Sequence, residues 1–153
     1  MKAMKRLTIG AVVFAITTLL SINTFASEHD AWITDYKQAK QLSAKTGKPI
    51  FALFTGSDWC MWCVKLHKEV LQQKVFLKYA KDNFVLLKLD YPANKELPKE
   101  LREQNDKLAL QYKIQGFPTV IILDKNGHQL HRTGYIEGGA ENYIKVLKTL
   151  SKK

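Results

Sequence analysis

The chain has 153 residues, of which 46% are hydrophobic and 25% charged, with a formal net charge of +10 and two cysteines. That length suits one domain with an adequate core. Its basic residues alternate with acids, as in Lys95-Glu96 and Lys99-Glu100-Leu101-Arg102-Glu103, so the charge describes solvated helical faces and argues against nucleic-acid binding.

Lys2, Lys5 and Arg6 form a basic start, Leu7 to Leu20 is uncharged and mostly apolar, and Ser21 to Ala26 is a more polar tail ending in a small residue. This three-part pattern predicts a secretory signal peptide over residues 1–26, cleaved after Ala26. The apolar run is short for a span of ~20 residues, so stable membrane insertion after cleavage is not expected. Neither cysteine lies near the cleavage point, which argues against a lipid anchor. Removing Lys2, Lys5 and Arg6 lowers the formal charge from +10 to +7. The remaining chain, residues 27–153, is expected to be one exported, soluble domain.

Ala31-Trp32-Ile33 predicts a short first strand, and Tyr36 to Thr46 a helix stopped by Gly47 with Pro49 beyond it. Ile50-Phe51-Ala52-Leu53-Phe54 is a continuous apolar run, as in a central strand covered on both faces. Thr55-Gly56-Ser57-Asp58 turns the chain into Trp59-Cys60-Met61-Trp62-Cys63. From Cys60 to about Tyr79 the apolar spacing predicts one long, bent helix. Phe84 to Asp90 is a second central strand, and Tyr91-Pro92 opens a polar insertion leading into a helix that ends near Tyr112. Val120 to Leu123, Asp124-Lys125-Asn126-Gly127 and His128 to Tyr135 predict a hairpin. A last helix covers about Ala140 to Ser151. The strands separated by helices are expected to pair in parallel, with the hairpin adding an antiparallel edge.

Cys60 and Cys63 carry the functional argument. A disulfide that constrains a fold closes a long loop, and a two-residue spacer contributes little in that way. The pair instead follows a strand and opens a helix, so the first sulfur lies where aligned peptide dipoles stabilise a thiolate. The thiolate is the nucleophile of disulfide exchange. The pair therefore reads as a redox centre, its sulfurs exposed at a helix tip. A structural zinc takes four ligands, and this chain offers one cysteine pair without a matching histidine pair. Covalent haem attachment needs histidine after the second cysteine, where Val64 stands. No metal and no cofactor are expected, since no nicotinamide or flavin motif is visible.

The element order, the Trp-Cys-x-x-Cys motif after the first central strand, and Phe117-Pro118 before the hairpin together resemble the thioredoxin superfamily. The match covers nearly all of residues 27–153, and Cys60-Met61-Trp62-Cys63 with the signal peptide brings it nearest to exported proteins of the DsbH type. The resemblance implies an α/β three-layer sandwich, its central mixed β-sheet flanked by helices. It implies that Cys60 is the nucleophile, Cys63 the resolving cysteine, and Pro118 a cis-proline beside the redox-active disulfide. Phe117 would then offer its backbone to an extended substrate segment. The implied activity is a periplasmic thiol:disulfide oxidoreductase, with protein or peptide disulfides as substrates and a membrane thiol as electron donor. The implied direction is reduction, favoured by the apolar Phe117; an oxidase or isomerase, a binding or chaperone module, and a metal-delivery module are the alternatives.

Trp59 is expected to pack on the fold and shield the site. Trp62 either presents an apolar surface to substrate or folds back on the domain, and Met61 is an adaptable surface contact. Thioredoxins usually carry a buried acid six residues before the first cysteine, where this chain has Phe54. The proton acceptor for Cys63 is therefore open, with Asp58 expected to be exposed and Lys88 able to approach from the neighbouring strand. His67, one turn after Cys63, is expected to be a partly solvated helix residue; His128 and His131 do not face alike, and His29 lies near the expected mature N-terminus.

Overall fold

The structure is a computed structural model that describes residues 31–150. The predicted signal peptide, His29 and the predicted helix end at Ser151 lie outside the described residues. The elements are β1 (Trp32–Ile33), α1 (Tyr36–Thr46), β2 (Ile50–Thr55), α2 (Met61–Leu66), α3 (Lys74–Asn83), β3 (Val85–Asp90), α4 (Lys99–Gln111), β4 (Thr119–Leu123), β5 (Gln129–Thr133) and α5 (Gly139–Leu150). The five strands form one mixed sheet in the order β1-β3-β2-β4-β5.

Strand periodicity splits β2 between two cores, because successive side chains leave opposite faces. Phe51 and Leu53 join Leu66, Val70, Phe76, Tyr143 and Leu147 on the face covered by α2, α3 and α5. Ile50, Ala52 and Phe54 join Ala39, Leu108 and Tyr112 on the face covered by α1 and α4. The result is the expected three-layer α/β sandwich. Helix α1 begins where Asp35 accepts the amide of Gln38 at 2.7 Å and stops at Gly47, whose φ of 72° suits a residue without Cβ.

Two expectations fail. The long helix from Cys60 is broken: α2 passes into one π-helical turn, His67–Leu71, and the extended backbone of Gln73 then starts α3. The side-chain amides of Gln72 and Gln73 both donate to the Lys68 carbonyl, which fixes the bend. The second correction concerns strand direction. β2 pairs in parallel with β3 but antiparallel with β4, although α4 precedes β4. Helix α4 ends beside the β4–β5 turn, where Tyr112 Oη donates to the Gly127 carbonyl at 2.8 Å. Residues 113–118 then run back to the opposite end of the sheet, where Thr119 meets Phe54. Apolar alternation reveals layers, but not which end of the sheet a strand enters from.

Candidate active site

The C-terminal end of β2 places the cysteines. Thr55 is buried, and the next four residues turn sharply enough that the Cys60 amide donates to the Gly56 carbonyl at 3.0 Å. Cys60 is the N-cap of α2: its backbone is extended, and its carbonyl accepts the amides of Cys63 and Val64, both at 3.0 Å. Its sulfur accepts the Cys63 amide at 3.2 Å. Peptide dipoles of the first helical turn thus converge on Cys60 Sγ.

The two sulfurs are bonded, with Cα atoms 5.2 Å apart. The expected exposure is corrected here: Cys60 is 7% and Cys63 3% exposed, so only a small aperture leads to the pair. The spacer carries Cys63 into the first turn of α2 and against the turn that follows β2, where the Gly56 amide donates to its sulfur at 3.4 Å.

Aromatic side chains flank the cysteine motif on two sides. On one, Trp59 is half exposed, its indole Nε1 donates to the Tyr91 carbonyl at 2.7 Å, and its ring meets the edge of Phe117 at 5.9 Å. Tyr91 lies against Phe117 with ring centroids 5.0 Å apart. Phe117 precedes Pro118 across a cis peptide bond. On the other side, half-exposed Trp62 packs on Tyr135 at 5.2 Å, and the Lys65 ammonium lies over both rings. Tyr135 Oη donates to Glu69 at 2.6 Å. The hydrogen bond to Glu69 raises the Tyr135 pKa, and the hydrogen bond with Tyr135 raises that of Lys65. Met61, in the spacer, is 77% exposed.

Asp58 is exposed, yet its carboxylate is engaged, accepting the amides of Ala93 and Asn94, each at 2.8 Å. Those two bonds hold its pKa below the usual carboxylate range. Phe54 points away from the cysteines into the opposite core, edge-on to Tyr112. Behind Cys63 lies a cleft of about 540 Å³ whose walls include Trp32, Thr55, Cys63, His67 and Lys88. Lys88 is 3.4 Å from Asp90, which accepts both the amide and the hydroxyl of Ser57.

Among the described residues no group of three or more His, Cys, Asp or Glu side chains could hold a metal ion. His128 instead bonds Asp124 at 2.9 Å within its own turn. Sequence reasoning missed Gly56, Tyr91 and Tyr135. Gly56 has a discernible signal, since a turn packed against an aromatic motif favours a residue without a side chain; the two tyrosines arrive from distant segments and have none.

The sequence matches the family described as Thioredoxin-like domain over residues 36–151. It is 38% identical over 117 residues to disulfide bond reductase DsbH of Chlamydia pneumoniae, covering 76% of this chain and 70% of that protein. A solved structure titled DsbH Oxidoreductase aligns with a TM-score of 0.76 at 38% identity, covering 79% of this chain and 83% of that one. The thioredoxin-related protein DsbJ of Chlamydia pneumoniae is 30% identical over 134 residues, which spans 88% of this chain but 38% of that longer protein.

Proposed function

This chain belongs to the thioredoxin-like family, and from that premise we propose that it is an exported disulfide reductase acting in the periplasm. The observation that carries the reading is the placement of Cys60 Sγ at the start of α2, behind a narrow aperture, with Cys63 bonded to it from below. In the reduced protein the helix terminus favours the Cys60 thiolate, which attacks one sulfur of a substrate disulfide. The other substrate sulfur leaves as a thiolate, and a mixed disulfide joins Cys60 to the substrate. Cys63 then attacks Cys60 Sγ, the bond to substrate breaks, and the Cys60–Cys63 disulfide forms as two electrons pass to the substrate. Proximity makes this second step effectively unimolecular.

Trp59, Met61, Trp62 and Phe117 form the apolar rim that receives substrate. The main chain at Phe117, beside Pro118, takes an extended protein or peptide segment in strand fashion. Reduction is supported by the likeness to DsbH and by apolar Phe117 at the position before the proline. Electrons return by thiol exchange from a membrane thiol donor, and no bound cofactor is needed. Export rests on the basic, apolar and polar succession of residues 1–26.

Cys63→Ser is the direct test. The variant is expected to accumulate mixed disulfides through Cys60 and to lose turnover with a protein disulfide substrate. Full turnover without trapped species would overturn the assigned order.

A further inference from the structure

The cleft behind Cys63 holds an arrangement that the family resemblance does not account for. Its lining includes Thr55 and Ser57 from the end of β2 and its turn, Cys63 and His67 from α2 and the π-helical turn, and Lys88 from β3. Trp32 of β1, Thr34 just after it and Leu77 of α3 also line the cleft, and none of them titrates near neutral pH. Lys88 pairs with the Asp90 carboxylate at 3.4 Å, and that carboxylate also accepts the amide and hydroxyl of Ser57. No carboxylate is among the residues lining this cleft.

Resolution needs a proton acceptor, because Cys63 attacks as a thiolate. An ammonium has protons to donate and no lone pair to accept one. Hydroxyl and amide groups are poor bases in water. Imidazole is the lining group that changes protonation near neutrality. His67 stands four residues after Cys63, and its amide donates to the Cys63 carbonyl. Side chains so spaced on a helix are neighbours, with Cβ atoms roughly 5–6 Å apart.

Resting on the reductase reading, we infer that His67 is the proton acceptor for Cys63 in resolution of the mixed disulfide, with Lys88 holding the resulting thiolate by its charge. The Cys63 thiol passes its proton to an imidazole nitrogen. Its sulfur then bonds to Cys60 Sγ, and the Cys60–substrate bond breaks. The departing substrate sulfur keeps the electron pair and takes a proton from the imidazolium. The substrate disulfide is reduced and the Cys60–Cys63 pair oxidised, with no further reagent. For an unperturbed thiol, with a pKa near 8.5 and about 3% ionised at pH 7, complete ionisation accelerates attack about 30-fold.

The test uses the reduced protein and a nitrobenzoate disulfide whose two aromatic thiolates absorb on release. Attack by Cys60 releases the first in a bimolecular phase, and attack by Cys63 releases the second in a unimolecular phase. With His67→Gln, the second phase is expected to slow about tenfold at pH 7. Its inflection should move from the imidazole range to the thiol range, while the first phase changes less than about twofold. Added imidazole should restore part of the second phase in His67→Ala. An unchanged second-phase pH profile in His67→Gln, or an equal slowing of both phases, would overturn the assignment. Absence of any second release from the unmodified protein would overturn the reductase reading itself.

Discussion

The indole N–H of Trp59 donates to the main-chain carbonyl of Tyr91 at 2.7 Å, fastening the residue before Cys60 to the insertion that follows β3. Phe117 closes the triangle by contacting both rings. One wall of the redox aperture is therefore assembled from three segments far apart in sequence. Trp59→Phe keeps most of the ring but removes the donor, and is expected to cost about 1 kcal/mol of stability. Urea unfolding of the two proteins measures it, and a Trp59→Phe variant of unchanged stability would mean that the bond contributes nothing.

Asp58 holds the same insertion by charge. Hydrogen bonds from Ala93 and Asn94 lower its pKa. A carboxylate with a depressed folded value contributes stability above its unfolded pKa, near 3.9, and loses it as the pH falls through the folded value. Asp58→Ala should therefore melt below the unmodified protein at neutral pH, with the gap closing below about pH 4. Thermal melts at pH 7, 5 and 3 check this; a gap independent of pH would assign Asp58 a purely steric role.

Gly56 leaves room for this wall. A Cβ built there would lie 2.5 Å from Trp59 Cε2 and 2.7 Å from its Cζ2 and Nε1. Trp59 is half exposed and can swing outward, but only by giving up Tyr91. Gly56→Ala is expected to destabilise by about 1–3 kcal/mol and to alter the near-ultraviolet dichroism of the tryptophans. It should also speed reaction of the disulfide with dithiothreitol, since the aperture widens.

Phe51 anchors the core beneath the site. It is fully buried and meets Trp32, Phe76 and Phe84 edge-on at 6.0, 5.8 and 5.7 Å. Phe51→Ala should cost about 3–5 kcal/mol, a large share of an ordinary domain's stability. Denaturant titration reads this directly, and a loss under about 1 kcal/mol would show that the surrounding rings collapse into the space.

The layers were legible in sequence because apolar runs such as Ile50 to Phe54 and Val120 to Leu123 advertise strands buried on both faces. The cysteine pair was legible because its spacing and its setting between strand and helix are local. The reversed entry of β4 was not, since it depends on where residues 113–118 lead the chain after α4. Nor was the break after Leu66, because Gln72 and Gln73 act through side-chain bonds to Lys68 rather than through a helix-breaking residue type. Tyr91 and Tyr135 join the aperture only through tertiary packing. His67 shows the limit in another way: its spacing from Cys63 was visible, whereas the shared cleft was not.

Equilibration of the Cys60–Cys63 pair against a graded dithiothreitol buffer tests the proposed function most directly. A reductase should poise near thioredoxin, at about −270 mV, and pass electrons to protein disulfides. A potential near that of DsbA, at about −120 mV, would make the pair a disulfide donor and contradict the proposed direction.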